Sequence, residues 1–308
     1  MNDSLKVAIS PPEAFWRAGV DQRRAMVADI VDAGLDGLLY ADHVSFRGGS
    51  GVDLMVLMAG ISQLHADAQL YLGVYLLPLR HPVLVARSLS TLSDLAPGRV
   101  VLGVGIGGED RHEVEVCGVD PRTRGRRCDE SLAVLRGLMG GDWFTHHGEF
   151  FDIEACRILP PPDPAVPIVV GGRSDAAVRR AGRYGDGWLA GWVSTRRFAE
   201  AVRLCGEVAD EAGRHVERWQ HGLQLWVGLD ADAVRARGYV KEGMESFYRI
   251  PFDAFDRYTP AGSPEQVADF LRPYVDAGAS QINLTPCAAS AEAATELTGQ
   301  VAELLRRG

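Results

Sequence analysis

"VVLGVGIGGED", Val100 to Asp110, is the stretch on which the fold turns. Gly103, Gly105 and Gly108 complete a G-x-G-x-x-G, and the β-rich run Val100, Val101, Leu102 and Val104 leads into it. Such a motif marks a dinucleotide site when it ends the first strand of a βαβ unit and opens a helix; alone it has little specificity. The same glycines also suit a place where a flat ligand lies against bare backbone, because glycine has no Cβ and takes positive φ without strain. The flanking sequence decides between these readings.

Outward from this stretch, short apolar runs alternate with helical patterns along the whole chain. Upstream, "LKVAIS", "DGLLYADH" and "LYLGVYLLP" read as strands, with helical periodicity over 21–33, 54–64 and 82–95. Downstream, "VPIVVGG", "DGWLAG", "HGLQLWVGL" and "SQINLTP" read as strands, with helical patterns over 122–139, 175–184, 196–212, after 230 and over 264–277. Ser263 caps the last of these, with Pro264 in its first turn. Strands apolar on both faces and separated by amphipathic helices imply a parallel sheet covered on both sides. Eight such units predict an α/β fold, a single (β/α)8 TIM barrel occupying 1–308 as one domain. One segment breaks the rhythm. "WFTHHGEFFDIEACRILPPPDP", 143–164, is expected to be an extended excursion or hairpin between the fourth helix and the fifth strand. The G-x-G-x-x-G therefore ends the fourth strand of a series, where a Rossmann fingerprint normally ends the first. That position favours a ligand at the C-terminal mouth of a barrel.

The bulk numbers agree. The chain has 308 residues, 46% of them apolar, and a formal net charge of −9. A negative surface repels phosphate backbones and anionic membranes, which argues against nucleic-acid binding. No apolar run reaches the roughly 20 residues of a membrane span, and "MNDSLKVAIS" lacks a signal-peptide layout. The five cysteines are scattered, with neither a C-x-x-C nor a disulfide framework. A reduced, cytoplasmic enzyme is the expectation.

Several phrases, taken in order, carry a resemblance. They are "YADH", "LLPLRHPVLVARSLSTLSDLAPGRVVLGVGIGGE", "RTRGRRCDESLAVLRGLM", "HHGEFF" and "PIVVGGRSDAAVRRAGRYGDGW". The series resembles the bacterial-luciferase-like oxidoreductases, closely over about 36–188 and loosely elsewhere. The resemblance implies a TIM barrel using FMN or the deazaflavin coenzyme F420, a small-molecule substrate and a homodimer built on the helices beside strands two to four. It also implies a flavin reductase as partner if the cofactor is FMN. By the same resemblance, a non-prolyl cis peptide is expected at Tyr75–Leu76, behind the flavin ring.

The residues themselves offer a phosphate site, a proton-handling pair and a rim acid. In "VVGGRSDAA", Gly171, Gly172, Arg173 and Ser174 precede a helix whose unpaired N–H groups suit a phosphate; the bland reading is an ordinary capped helix. FMN and F420 both carry a ribityl phosphate, so this turn cannot separate them. Asp42 and His43 end the second strand at the catalytic rim. A histidine there can move a proton at neutral pH, while the alternative is a hydrogen-bonded structural pair. No H-x-H or E-x-x-H completes a metal sphere around them. Glu109 is a candidate acid or substrate-orienting group if half-buried, and otherwise a solvated or helix-capping carboxylate. Gly105, Gly107 and Gly108, with Tyr75 and Leu76, are expected against the ring. Arg124, Arg127 and Glu130 are expected to brace the fourth helix as an ion pair, with phosphate contact the minor reading. His146 and His147 belong to a solvent-facing turn, Trp188 to the core and Trp192 to a pocket wall.

One departure bears on the substrate. Some deazaflavin-dependent sugar-phosphate dehydrogenases of this resemblance carry a tryptophan just after the Asp-His pair, where this chain has Phe46 and Arg47. Lys6 and Lys241 are its only lysines, few for a sugar-phosphate site. The reading is an oxidoreductase transferring hydride between F420 and a small organic substrate. The alternatives are a two-component monooxygenase using reduced FMN and, in another class, a non-catalytic flavin-binding barrel. A metal-dependent hydrolase barrel lacks the ligand spacing it would need.

Overall fold

The computed structural model describes residues 5–307. The first four residues of the N-terminal stretch read for a targeting signal lie outside this range. Eight strands form the barrel: β1 (Lys6–Ile9), β2 (Gly37–Tyr40), β3 (Gln69–Leu76), β4 (Val100–Gly105), β5 (Ile168–Gly171), β6 (Gly187–Ala190), β7 (Gly222–Leu229) and β8 (Gln281–Cys287). Each pairs in parallel with its sequence neighbour, and β8 returns to pair with β1 through Lys6–Gln281 to Ile9–Leu284. The sheet is closed, so the Rossmann reading of the glycine run falls: a dinucleotide fold needs an open sheet with a switch point.

The helices lie outside this sheet: α1 (Val20–Asp32), α2 (Leu54–Ser62), α3 (Pro82–Leu95), α4 (Arg124–Met139), α5 (Asp175–Tyr184), α6 (Thr195–Glu211), α7 (Ala233–Tyr248), α8 (Pro264–Asp276) and α9 (Ala291–Arg307). Their starts are written locally. Asp53, Ser174, Ser194 and Asp232 each accept a backbone N–H from the first turn, and Ser263 and Gln266 form a full capping box with Pro264 at the helix start. Ala8, Leu39, Tyr71, Val101, Val169 and Leu189 supply one inward side chain from each of β1 to β6 and fill the barrel. A larger apolar layer joins the outer faces of the strands to the helices. Among the described residues, no helix is long and apolar enough to cross a membrane.

The excursion is a hairpin, Phe144–His147 antiparallel to Asp152–Cys156. The ion pair expected within α4 is replaced by other contacts. Glu130 accepts the backbone N–H groups of Glu149, Phe150 and Phe151 and so anchors the hairpin turn. Arg127 donates to the Pro78 carbonyl and covers the Phe151 ring, while Asp129 pairs with Arg180. Turn amides left unpaired near the protein interior need an acceptor, and Glu130 supplies it. The elements beyond the sequence reading include a hairpin of His43–Phe46 with Ser50–Val52, a short helix Arg111–Val116, and α9.

Candidate active site

The glycine run sits where β4 meets the mouth. A Cβ at Gly103 would strike the Leu72 carbonyl, and one at Gly105 would lie 2.5 Å from Val74 Cγ2. Glycine is therefore demanded twice by the close approach of β3 to β4. Gly107 and Gly108 follow with φ of +66° and +120°, and they turn the backbone off the strand. Arg124 packs on Gly108, with its Nε buried and without a partner.

The non-prolyl cis peptide is present, but it joins Gly73 to Val74, two residues before the expected Tyr75–Leu76. The β3–β4 register shifts between Leu72 and Tyr75, so the irregular stretch is centred on Gly73 and Val74. Bare Gly105 leaves the Val74 side chain room there. Tyr75 and Leu76 are regular β3 residues, both buried. Gln224 Nε2 donates to the Gly73 carbonyl at 3.1 Å, and its Oε1 is buried without a partner.

Asp42 and His43 are adjacent in sequence and differ in environment. Asp42 is 1% exposed. Its carboxylate holds Arg80 in two bonds and accepts the N–H groups of Leu54 and Leu76. Burial pushes this carboxyl up, while the guanidinium and the two N–H groups pull it down. These bonds join the end of β2, the start of α2 and the end of β3, and they support a bracing role. His43 opens the rim hairpin. Its Nδ1 lies 3.1 Å from Glu113 Oε2, and its ring stacks on Phe46 with centroids 4.1 Å apart. Among the described residues its Nε2 has no partner.

Glu109 is exposed, as in the solvated alternative of its two readings. The buried acid is Glu113, 2% exposed, which the sequence reading passed over. It also accepts the N–H groups of Val44 at 2.7 Å and Ser45 at 3.2 Å. The available signal was spacing: Glu113 lies three residues beyond Asp110, which caps the short helix by accepting His112 N–H. Asp110 also accepts the Arg47 N–H, and so ties the glycine loop to the rim hairpin.

Gly171–Ser174 forms the turn that was expected. Gly172 has φ +132°, and its carbonyl accepts the Trp188 indole N–H at 2.7 Å. Ser174 is the N-cap of α5 and accepts Ala177 N–H at 3.3 Å. Arg173 is exposed, with its guanidinium 5.9 Å from the centre of the Trp192 ring. Arg197, unremarked in the sequence, donates to the Arg173 carbonyl and to Asp175, which neutralises an acid beside the turn. Trp188 is core. Trp192 has φ +50° and packs against Tyr248 and Phe255. From there an aromatic run continues through Trp226 and Phe247 to Phe46, beside His43. Arg47, whose guanidinium lies over the Phe46 ring, is committed to the carbonyls of Phe247 and Tyr248. Burial, and then the charge of Glu109, push the Tyr248 phenol up, so it stays neutral.

A family described as luciferase-like monooxygenase matches residues 11–252. An uncharacterised protein of Mycobacterium tuberculosis is 37% identical over 184 residues, 60% of this chain and 63% of that protein. The chain thus matches less than two thirds of that relative's length. An F420-dependent glucose-6-phosphate dehydrogenase of Nakamurella multipartita is 27% identical over 305 residues, covering 87% of this chain and 89% of the other. Among solved structures, an F420-dependent secondary alcohol dehydrogenase in complex with an F420-acetone adduct superposes with a TM-score of 0.83 at 18% identity over 98% and 99% of the two chains. The oxygenating constituent of 3,6-diketocamphane monooxygenase, in complex with FMN, superposes with a TM-score of 0.75 at 19% identity over 98% and 97%.

Proposed function

The chain belongs to the luciferase-like monooxygenase family, and on that premise we propose that it is an F420-dependent oxidoreductase acting on a small apolar alcohol or carbonyl compound. The residues present fit such a cofactor. Gly105, Gly107 and Gly108 leave bare backbone at the mouth end of β4, packed on one side by Val74, Leu76 and Arg124, and Gly172 leaves bare backbone before α5, where a Cβ would press on Ala177. Gly105, Gly107, Gly108, Tyr75 and Leu76 would face the ring, and the Gly171–Ser174 turn would hold the phosphate through the α5 N–H groups. The bound deazaflavin supplies hydride acceptance and donation.

The chain supplies orientation, shielding from water and a place for the proton. The observation that carries this reading is His43, held at the rim with Nε2 unpartnered. With a deazaflavin bound, the cofactor would supply hydride acceptance in alcohol oxidation, and His43 Nε2 would take the hydroxyl proton. The aromatic run from Phe46 to Trp192 forms the substrate wall. Phosphorylated sugars are disfavoured, because Arg47 is already bonded. Glu109, at the exposed rim, serves to orient substrate.

The second reading is a monooxygenase supplied with reduced FMN by a flavin reductase; the same bare backbone and phosphate turn would serve FMN. A homodimer through the helices beside β2 to β4 belongs to either reading. The deciding experiment is titration of the purified protein with F420 and with FMN, followed by turnover of a short secondary alcohol with F420. Tight F420 binding with reduction at 420 nm supports the proposal. FMN-only binding with oxygen consumption overturns it in favour of the second reading.

A further inference from the structure

We propose that Glu113 is a positioning residue that sets the tautomer of His43, so that Nδ1 carries the proton and Nε2 is the accepting nitrogen at the rim. The catalytic consequence rests on the function proposed above; the tautomer does not.

Glu113 is 2% exposed, and no lysine or arginine pairs with it. A carboxylate so placed is tolerated only when its lone pairs are filled. Oε1 accepts Val44 N–H at 2.7 Å and Ser45 N–H at 3.2 Å, two amides of the rim hairpin. Both oxygens face His43 Nδ1, Oε2 at 3.1 Å and Oε1 at 3.2 Å, and Oε2 has no other donor among the described residues. An ionised carboxylate only accepts, so Nδ1 has to donate. In the neutral imidazole that leaves the lone pair on Nε2. The stack on Phe46, with 24° between the planes, holds the ring in this orientation.

The asymmetry of the two carboxylate oxygens makes the assignment testable by an isosteric change. In Glu113→Gln the amide oxygen must stay at the Oε1 position, because two backbone N–H groups point there. The amide nitrogen then falls at the Oε2 position, opposite Nδ1, and can only donate. Oε1 also lies 3.2 Å from Nδ1, but its lone pairs are taken by the two backbone N–H groups, so Nδ1 turns to accept from the amide nitrogen and the proton moves to Nε2. The substitution keeps shape and burial and reverses the tautomer.

The measurement is a long-range proton–nitrogen correlation spectrum of 15N-labelled protein without cofactor, taken at alkaline pH where imidazole is neutral. The His43 signals are assigned by their loss in His43→Asn. The expected result is an Nδ1–H tautomer in the wild type and an Nε2–H tautomer in Glu113→Gln. An Nε2–H tautomer in the wild type, or an unchanged one in Glu113→Gln, overturns the proposal. If Glu113→Gln does not fold, the wild-type spectrum alone decides. A purely structural role for Glu113 would lower thermal stability and leave the tautomer unchanged. Turnover with F420 tests the link to function. Loss of the accepting nitrogen should lower kcat by about a hundredfold or more, with KM changed only a few-fold. A reversed tautomer with full turnover upholds the control of His43 by Glu113 and overturns the reading of His43 as proton acceptor.

Discussion

The Asp42 carboxylate and the Arg80 guanidinium form a two-pronged ion pair, Oδ2 to Nη1 at 2.5 Å and Oδ1 to Nη2 at 2.9 Å. The Arg80 guanidinium also lies over the Tyr75 ring at 4.5 Å. The pair therefore fastens the rim of β2 to the last residues of β3, against which the glycine run packs. Removing one member of a buried pair leaves the other charge uncompensated, at a cost of about 3–5 kcal/mol. Asp42→Ala is expected to lose stability of that order in urea unfolding at neutral pH, and Asp42→Asn somewhat less. Full stability in Asp42→Ala with turnover abolished would instead make Asp42 a participant in the chemistry.

Ser174→Ala should weaken binding of FMN or F420 by roughly ten- to a hundredfold, since hydrogen bonds to charged groups contribute about 1.5–3 kcal/mol. Because Ser174 also caps α5, the same change should cost about 1 kcal/mol of stability with or without cofactor. Riboflavin, lacking the phosphate, separates the two effects: its affinity should barely move. Gly172→Asp should be worse, since it adds a negative charge and a Cβ at φ +132°. Equal losses for FMN and riboflavin would take the phosphate away from this turn.

Gly105→Ala tests the contact between β3 and β4. The new Cβ would stand 2.5 Å from Val74 Cγ2, so the half-buried Val74 or the strand backbone must shift. Overpacking of this kind costs about 1–3 kcal/mol. The displaced Val74 or the new methyl should also intrude on the cofactor face, so both the melting temperature and cofactor affinity are expected to fall. A variant with wild-type affinity would place the ring away from Gly105.

His221 should make the fold acid-sensitive. It is 2% exposed, and its Nδ1 accepts Trp188 N–H at 3.2 Å. Burial lowers its pKa from the ordinary 6.5 of a histidine to about 4. Between those values the unfolded chain binds a proton that the folded one refuses, so stability is lost as pH falls from about 6.5 toward 4. At about 1.4 kcal/mol per pH unit, the loss from pH 7 to pH 5 should be roughly 2 kcal/mol. Urea unfolding at the two pH values, in the wild type and in His221→Asn, measures it; equal pH slopes would clear His221 of the effect.

The closed barrel was legible in the sequence because its signals are local. Alternating apolar strands and capped helices repeat eight times, and "SDAA" and "SPEQ" write helix starts that need no distant partner. The place of the glycine run at the end of the fourth strand was legible for the same reason: a missing Cβ is a property of the residue. The capped turn before α5 was equally readable, from two glycines and a capping serine ahead of an amphipathic helix.

Only the tertiary structure decided which acids matter and how. Asp42, Glu109 and Glu113 are chemically alike in a string of letters, and each lies near the end of a strand or the start of a helix. Burial and partners separate them. Asp42 is locked to Arg80 from 38 residues away, Glu109 stands in solvent, and Glu113 meets His43 across 70 residues of chain. The cis peptide obeys the same logic. It lies at Gly73–Val74, where the β3–β4 register shifts and bare Gly105 stands opposite, a relation between two strands that neither strand's own sequence records. A residue's charge state and its partners depend on which groups the fold brings within a few ångströms, and sequence periodicity carries none of that information.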